Sequence, residues 1–483
     1  MGANLVAQSH RSYLDDYFSA LYRNQQFNGN VLVAENGKII YENSFGLADF
    51  TQKRLNDKQS RFPIASITKT FTATAILQLK EKGKLKIDDP VIRYIKDFPY
   101  PSITIRHLLS HTSGLQPYDN YFDSLRTLSP DRVFTNKDIL PRYKALKLPL
   151  LYQPGTDGNY DNSNFIFLAL IVEKVSGMFL TDYLTKQILE PAEMVNTIFP
   201  TFAFYHYTPQ EKINLSLTYK LPRPYSDNYE RTDTMRFVSK YWHSYNFKGF
   251  GEIVSTTEDL FKYDQALYNG KLLSNATMKE AFTPVRLTNG NINPVGNGLG
   301  WQINKDSEFG ELVSHTGGLV GIRTIFLRNI TKHQTIILLD NTENAVDEIT
   351  ENVLKILNGQ IVKLPGKSIA KVYGKSLATD GIDRARVILE QLQNDSLNYS
   401  LSENEFNNLG YDFMENNKES KALEVFQTNV KLFPRSWNVY DSYGEALLKY
   451  GKTEEGIKMY KRAIELNPEN LAAKKILDRL LKN

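Results

Sequence analysis

The sequence predicts an α+β domain, in which helices cover an antiparallel β-sheet and form an all-helical part beside it, followed by an all-α domain. Three observations support this prediction. Short β patterns occur near residue 30 and again between residues 300 and 340, with helical patterns between them, which favours an antiparallel sheet flanked by helices. A chain of 483 residues exceeds what one ordinary core fills. Beyond residue 358 the pattern changes to an internal repeat.

The first two elements are a hairpin and a helix. Residues 30–41 form two short β runs around Asn36-Gly37, a dipeptide that tolerates the positive φ angles of a two-residue turn. A helix is then expected from Ser66 to about Lys82, with Gly83 ending it. Its apolar face consists of Phe71, Ala75, Ile76 and Leu79.

The middle of the chain begins with a helix and continues into an irregular stretch. The helix runs from about residue 163 to residue 174. Residues 202–250, further along the chain, are polar and rich in aromatic side chains, and they show no sustained helical or strand period. Two interpretations of this stretch stay open: a surface excursion whose aromatic residues pack locally, or a partial roof over a substrate pocket. Further strands are expected at 300–303, 312–315, 322–327 and 335–339, and a helix at 346–357.

A repeat of 34 residues follows. Small residues at fixed positions let paired helices approach closely, an aromatic residue fills the space between them, and proline stops the second helix. This pattern resembles the tetratricopeptide repeat over residues 403–470, with a capping helix at 471–481. The recurring positions are Gly410, Ala422, Phe426 and Pro434 in one copy and Gly444, Gly456, Tyr460 and Pro468 in the next.

These patterns divide the chain into four parts. We expect a helical lead-in over residues 1–26, a first domain over 27–360, a linker over 361–398 and the repeat domain over 399–483. The linker is expected because residues 359–378 show no regular period and contain several glycines and a proline, although residues 382–392 suit a degenerate helix.

Composition excludes several classes of protein. The 58 basic and 54 acidic residues leave a formal charge of +4 with no basic run, which argues against a nucleic-acid partner. The chain has no cysteine, which excludes a cysteine nucleophile, disulfides and thiolate metal sites. No apolar run has the length of a membrane span. The absence of cysteine fits an oxidising compartment and favours a periplasmic or secreted location. A cytoplasmic location stays open, because the first residues show no signal-peptide pattern.

Ser66 and Lys69 are the residues most suited to catalysis. A serine hydroxyl is a weak nucleophile that needs a base within hydrogen-bond reach, and residues three apart on a helix share a face. In the first helical turn, free backbone N–H groups and the helix dipole favour a developing negative charge. Burial would lower the pKa of Lys69 and let it act as a base.

Two further motifs follow this pair along the chain. They are Tyr160-Asp161-Asn162 and His315-Thr316-Gly317-Gly318. In this order the three motifs resemble those of the serine β-lactamase and penicillin-binding protein superfamily, in its class C-like branch, which also contains D-amino-acid peptidases and esterases. The resemblance covers about residues 27–357 and implies a β-lactamase/transpeptidase-like fold. Other stretches similar to that branch are residues 84–91, 105–115, 254–260 and 298–301.

The resemblance implies a role for each motif residue. Ser66 would attack a carbonyl group and form an acyl-enzyme. Tyr160, with the positive charge of Lys69 nearby, would take the serine proton and deliver it to the leaving group. Asn162 would orient the substrate amide and hold the Lys69 amine. The backbone N–H groups of Ser66 and Gly318 would form the oxyanion hole.

His315 departs from the lysine that is usual in β-lactamases, while Thr316, Gly317 and Gly318 complete the expected substrate-binding strand. Histidine is mostly neutral at pH 7, whereas lysine would be a permanent cation for a substrate carboxylate. This difference favours a peptidase, amidase or esterase over an efficient β-lactamase. His111 is expected to make a turn hydrogen bond, and no metal or cofactor is expected.

Several alternatives stay open. The substrate is expected to be a small amide, an ester or a D-amino-acid peptide. In the last case the enzyme would be of the D-Ala-D-Ala carboxypeptidase or D-aminopeptidase type. A true β-lactamase is the alternative within the same superfamily. A protein of another class, in which the repeats bind a peptide or protein and the hydrolase domain is vestigial, is the second hypothesis. The repeats would otherwise serve packing or homo-oligomer formation.

Overall fold

The computed structural model describes residues 2–129, 131–236, 238 and 244–482. The chain divides into two compact units. The first comprises Met1–Leu221 and Glu230–Val362, and the second comprises Pro222–Tyr229 and Lys363–Asn483. Within the described residues no single helix is both long and apolar enough to cross a membrane, although Ser163–Ser176 and Leu180–Ala192, bent by 74°, reach that length and composition as a pair.

A six-stranded antiparallel sheet forms the centre of the first unit, which confirms the predicted α+β class. The strands of this sheet are β1 Gly29–Glu35, β2 Lys38–Phe45, β3 Gln302–Asn304, β4 Leu312–Leu319, β5 Ile322–Asn329 and β6 Gln334–Asp340. They lie in the order β3-β4-β5-β6-β1-β2, so that β1 pairs with β6, the last strand of this sheet along the chain. The hairpin between β1 and β2 turns at Asn36 and Gly37, with φ angles of 51° and 73°, as the sequence predicts.

Helices cover both faces of this sheet. Because strand side chains alternate, Val31 and Val33 enter one apolar cluster and Leu32 and Ala34 enter the other. The first cluster includes residues of the N-terminal and last helices of the unit, and the second contains the helices that follow Ser66 and Asn162. The main helices of the unit are α1 Gly2–Arg23, α2 Thr68–Glu81, α3 Ser163–Ser176, α4 Thr257–Tyr268 and α5 Val346–Leu357.

Shorter elements complete the first unit. They connect the main helices and strands and lie mostly on the side of the sheet that carries α2 and α3. The short helices are Ala65–Ile67, Val91–Arg93, Ile105–Leu109, Asp119–Leu128, Asn136–Leu146, Leu180–Leu184, Thr185–Leu189, Glu190–Ala192, Thr232–Thr234 and Asn275–Ala281. The short strands are Leu47–Asp49, Arg54–Leu55, Phe62–Pro63, Phe134–Thr135, Tyr219–Lys220, Glu230–Arg231, Tyr245–Asn246 and Val254–Ser255.

The stretch 202–250 combines local packing with one contact that reaches the centre of the domain. Residues 237 and 239–243 of this stretch lie outside the described part of the chain. Phe204 packs on Phe250 with 5.5 Å between ring centroids, and its ring edge lies 3.1 Å from where a Cβ on Gly251 would stand. Since Gly251 in turn approaches the backbone of Ala65, this part of the stretch lies beside the turn that carries Ser66.

Seven helices in the described residues form most of the second unit. Every other helix, from Ile369 to Leu471, begins 34 residues after its predecessor in that series. Gly410 lies against the Phe426 ring and Gly444 against the Tyr460 ring, as the predicted pairing of small and aromatic residues requires. The helices are α6 Ile369–Thr379, α7 Ile382–Leu392, α8 Glu403–Glu415, α9 Glu419–Leu432, α10 Trp437–Lys449, α11 Thr453–Leu466 and α12 Leu471–Lys482.

The prediction that residues 359–378 lack regular structure is wrong. Helix α6, Ile369–Thr379, lies within the predicted linker 361–398. The apolar face of α6 is buried, and Gly374, which reads as a turn residue in the sequence, lies inside the helix against Leu409. A short strand, Lys367–Ser368, also pairs with Tyr399–Ser400. Glycine therefore permits close helix packing here rather than ending the helix.

Residues 222–229 are part of the second unit although they lie within the irregular stretch of the sequence. The Tyr225 ring stacks on Phe413 with centroids 4.5 Å apart and planes 10° apart. Asp227 forms an ion pair with Lys375 at 2.5 Å. One part of the aromatic-rich stretch therefore packs on the helical repeats.

Candidate active site

Ser66 lies in a tight turn between the short strand Phe62–Pro63 and α2. The turn is a 3-10 helix, Ala65–Ile67, and the predicted start of the helix at Ser66 is therefore correct to within two residues. Ala65 has a φ of 48°, a left-handed conformation that is unfavourable for a residue with a Cβ. This strained turn leaves Ser66 half-buried, at the N-terminal end of a helix whose other first-turn residues are buried.

Lys69 points from the first turn of α2 back to Ser66. Its Nζ donates to Ser66 Oγ at 2.9 Å and to the backbone carbonyl of Phe250 at 3.0 Å. The side chain is fully buried, and burial lowers the pKa of Lys69 well below its usual value, against the opposing effects of Glu252 and Asp161. An amine in this environment is disposed to be neutral and to take a proton from its hydrogen-bond partner.

The Tyr160 side chain faces the same site: the Ser66 hydroxyl lies close enough to lower the pKa of the Tyr160 phenol, and Lys69 Nζ lies 4.9 Å from the centre of the Tyr160 ring. Although 38% of the surface of Tyr160 is exposed, its hydroxyl lies inside the site, and burial raises the pKa of this phenol above its usual value. The His111 ring stacks on the Tyr160 ring, with 4.4 Å between centroids. Tyr160 is therefore held as a neutral phenol, a better proton donor than acceptor.

The backbone that carries Tyr160 is braced by the segment around His111. The His111 Nδ1 accepts the backbone N–H of Asp161 at 3.1 Å and lies 3.2 Å from the side-chain amide nitrogen of Asn164. Ser113 Oγ donates to the Asn164 oxygen at 2.6 Å. These contacts agree with the turn role predicted for His111.

Asn162 occupies a different position from the one expected in relation to Lys69. In the described part of the chain, Lys69 donates to Ser66 and Phe250, and no hydrogen bond joins it to Asn162. The side-chain oxygen of Asn162 is buried without a hydrogen-bond partner. An unpaired buried acceptor at this point is available to an N–H group of a substrate.

His315 is a neutral, buried histidine. Its Nδ1 lies 2.7 Å from the carbonyl oxygen of Thr316, which can only accept, so Nδ1 carries the proton. Nε2 is buried without a partner and is left as an acceptor. Burial, together with the positive charge that Lys69 carries when it is protonated, lowers the pKa of His315 to about 3. The residue therefore offers no positive charge to a substrate at neutral pH.

Strand β4 approaches the Ser66 turn very closely. A Cβ on Gly317 would stand 2.3 Å from the Ile64 carbonyl oxygen and 3.2 Å from the Cβ of Ala65. Thr324 on β5 fixes the same carbonyl with a hydrogen bond of 3.1 Å. Gly318, the next residue of β4, is exposed and pairs with Arg323 across the strands. The structure thus brings the Ser66, Tyr160 and His315 motifs to one place.

Comparison with known proteins establishes the family. The family model described as Beta-lactamase matches residues 14–358, which contain all three motifs and most of the first unit. The chain belongs to the Beta-lactamase family.

Two of the proteins similar to this chain are penicillin-binding proteins. The chain is 37% identical to penicillin-binding protein 4* of Bacillus subtilis strain 168 over 348 residues, which cover 71% of this chain and 74% of that protein. A penicillin-binding protein from Bacillus halodurans has a similar structure, with 26% identity, a TM-score of 0.58, and coverage of 70% of this chain and 98% of that one.

A more distant structure shows the same fold. It is the D-amino acid amidase from Ochrobactrum anthropi SV3, with 22% identity, a TM-score of 0.56, and coverage of 73% of this chain and 99% of that one. The Beta-lactamase family fold is thus shared with proteins of more than one named activity.

Sequence reasoning missed two parts of this Beta-lactamase family site, the Phe250 carbonyl and the Glu252 carboxylate. A backbone carbonyl carries no side-chain signal, so Phe250 could not be recognised as a partner of Lys69. Glu252 stands beside two glycines and just before the strand Val254–Ser255, which pairs with Phe62–Pro63 next to the serine turn. That pairing brings residues far apart in sequence together, and only the structure reveals it.

Proposed function

We propose that the first unit is a serine hydrolase that forms an acyl-enzyme on Ser66 and cleaves small amides, D-amino-acid peptides or esters. The observation that carries this proposal is the 2.9 Å hydrogen bond between Ser66 Oγ and a fully buried Lys69 amine whose pKa is well below its usual value. Serine nucleophiles depend on such an adjacent base. The penicillin-binding and amidase names of the relatives support the same class of reaction.

Lys69 is the residue best placed to take the Ser66 proton. The sequence alone left two candidate bases, a buried Lys69 with a lowered pKa and a Tyr160 beside a positive Lys69. Burial lowers the pKa of Lys69 and raises that of Tyr160, which favours Lys69. The neutral amine accepts the proton as Ser66 Oγ attacks the substrate carbonyl. The oxygen of the tetrahedral intermediate is stabilised by the backbone N–H groups of Ser66 and Gly318.

Tyr160 serves in the second half of this reaction. As a neutral phenol beside Ser66, it passes a proton to the leaving amine or alcohol and regains one from Lys69. Asn162 accepts a hydrogen bond from the substrate amide through its unpaired oxygen. Water then attacks the acyl-enzyme and releases the product, with Lys69 as the base.

The neutral His315 narrows the substrate class. A leaving group with a carboxylate, as in a β-lactam or a peptide ending in D-Ala-D-Ala, would meet no cation from this residue. The site therefore favours an amide or ester whose leaving side is uncharged. A D-Ala-D-Ala carboxypeptidase or a true β-lactamase is the alternative that a substrate panel separates.

The test is the mass of the intact protein after incubation with a fluorophosphonate or a penicillin. The wild type is expected to gain one adduct, which Ser66→Ala does not gain. Lys69→Arg places a permanent positive charge at this position and cannot act as a base, so its reaction at Ser66 is expected to be at least about 100-fold slower. Rates with an aryl ester, a D-amino-acid amide, a D-Ala-D-Ala peptide and a chromogenic cephalosporin then rank the substrates. The absence of any adduct on wild-type protein would contradict the proposal.

We further propose that the second unit is a tetratricopeptide-like module. The 34-residue spacing of its helices and the contacts of Gly410 and Gly444 support this assignment. Deletion of residues 363–483 tests whether the module serves the hydrolase or a separate partner. If the truncated protein keeps its activity and its oligomeric state in size-exclusion chromatography, the result favours a module that binds a peptide or protein. If activity falls or the oligomeric state changes, the module serves packing or homo-oligomer formation. A periplasmic or secreted location stays a prediction.

A further inference from the structure

Glu252 is a buried carboxylate close to the base, and the proposed reaction does not use it directly. Only 3% of its surface is exposed. Its Oε1 accepts the backbone N–H of Gly249 at 2.8 Å, and its Oε2 accepts that of Gly251 at 3.1 Å. A side chain that satisfies two backbone donors in this way defines the conformation of the loop between them.

The loop residue between those two donors is Phe250, whose carbonyl binds Lys69. The Phe250 C=O and the Gly251 N–H belong to one planar peptide unit and point in opposite directions. When Glu252 holds the Gly251 N–H, it therefore also fixes the direction of the Phe250 carbonyl. That carbonyl is one of the two atoms that hold the Lys69 amine in place.

The loop needs such an anchor because it is built from glycines. Gly249 has a φ of 108°, and a Cβ there would stand 2.9 Å from the Phe165 carbonyl oxygen and from the Ala169 Cβ. Thr72 on α2 donates to the Gly249 carbonyl at 2.8 Å, which secures one side of the loop. The side that carries the Gly251 N–H is held by Glu252.

Glu252 also influences the base through its charge. Its negative charge raises the pKa of Lys69 and so opposes the large decrease that burial causes. It raises the pKa of the neighbouring Lys248 in the same direction. The other titratable groups that face Lys69 are Asp161, Tyr160, His111 and His315.

We propose that Glu252 is a positioning residue for Lys69, which orients the Phe250 carbonyl and thereby keeps the Lys69 amine against Ser66 Oγ. This inference rests on the proposed function, because it assigns Glu252 to the step in which Lys69 accepts the serine proton. Glu252 does not touch the reacting atoms and acts through the backbone of the loop.

The test compares Glu252→Gln with Glu211→Gln in the full chain. Glu211 is a matched control, because its two oxygens also accept two backbone N–H groups, from Thr201 at 2.6 Å and Thr208 at 2.8 Å. In Glu252→Gln the rate at which the fluorophosphonate phosphonylates Ser66 is expected to fall about tenfold or more, because a misplaced catalytic group lowers the reaction rate by a factor of this order. Glu211→Gln is expected to keep the wild-type rate.

The pH dependence separates positioning of the base from a general effect on the fold. Loss of the negative charge lowers the pKa of Lys69 further, so the amine stays neutral to lower pH, and the acid limb of the acylation profile of Glu252→Gln is expected to move to lower pH. Glu252→Asp keeps the charge but is one methylene shorter, and is expected to lose rate with a smaller movement of the limb. It also replaces Glu252→Gln if that variant does not fold.

A wild-type rate in either folded Glu252 variant would overturn the inference, as would a rate loss with an unmoved acid limb in Glu252→Gln. The pKa of Lys69 is also measured by NMR of ¹³C-labelled lysine, with Lys69→Ala to assign the signal. A lower pKa in Glu252→Gln supports the inference even if wild-type protein forms no adduct, in which case the proposed function alone fails. An unchanged pKa counts against Glu252 whatever the activity.

Discussion

The backbone of Gly317 lies so close to the Ile64 carbonyl that a Cβ on Gly317 would stand 2.3 Å from the carbonyl oxygen. The same Cβ would stand 2.2 Å from Thr324 Oγ1, which donates to that carbonyl. This contact sets the distance between β4 and the turn that carries Ser66. It explains why glycine stands at this position of the His315 motif: a side chain there would collide with the Ile64 carbonyl and hold the strand away from the serine turn, where we propose the oxyanion hole.

Gly317→Ala is therefore expected to push β4 away from the serine turn. The oxyanion hole would lose the alignment of its two donors, and the rate of acylation is expected to fall about 100-fold, as when one oxyanion donor is removed. Thr324→Val, which removes only the hydrogen bond to Ile64, is expected to have a smaller effect. Acylation rates and thermal unfolding of both variants check this prediction, and an alanine variant with the wild-type rate would contradict it.

His315→Lys is expected to change the substrate preference. A lysine at this position provides the cation that the neutral histidine lacks, and a charge-assisted hydrogen bond contributes about 1.5–3 kcal/mol. The ratio of kcat/KM for a chromogenic cephalosporin to that for an uncharged aryl ester is expected to rise about tenfold or more. His315→Gln is the neutral control. Equal ratios in the two variants would show that charge at residue 315 does not select the substrate.

The sequence predicted the fold class and indicated three motifs that the structure brings together, because both depend on local patterns. Alternation and the Asn36-Gly37 turn indicated the hairpin, and helical spacing after Ser66 indicated α2. The order of the motifs along the chain then supported the family resemblance. These patterns are local, and the structure agrees with the predicted hairpin and helix to within a few residues.

The electrostatics of the site could not be predicted in the same way. The sequence left open whether Lys69 or Tyr160 is the base, because the pKa of each group depends on burial by residues as distant in sequence as Phe250. The helix α6 was missed for a related reason. Gly374 reads as a breaker in sequence, and only its contact with Leu409 shows that it is a packing residue.

Gly410→Ala is expected to destabilise the second unit. The added Cβ would stand 2.7 Å from the Phe426 ring, which is fully buried. Overpacking of this kind costs about 1–3 kcal/mol, which outweighs the higher helix propensity of alanine. Urea unfolding of the full chain, followed in the transition of this unit, measures the loss.

The double variant of Gly410→Ala with Phe426→Leu identifies the contact responsible. If the ring causes the destabilisation, the alanine is expected to cost less in the Phe426→Leu background than in the wild type. Asn408→Ala, at an exposed position of the same helix, is the control for helix propensity. Additive effects of the two substitutions would assign the destabilisation to another contact.

Asp161→Asn is expected to change how the stability of the first unit depends on pH. Burial raises the pKa of Asp161 to about 7, above its usual value of about 4 in an unfolded chain. The folded state therefore holds this proton more tightly than the unfolded state, so the stability present below about pH 4 is lost as pH rises to about 7.

Asparagine cannot titrate. It leaves an amide group where Oδ2 has no partner, but the cost of that unpaired group is the same at every pH. The free energy of unfolding of the variant relative to wild type, from urea titrations between pH 4 and 8, is thus expected to become more favourable as pH rises. A difference that stays constant over this range would show that Asp161 is ionised throughout in the folded protein.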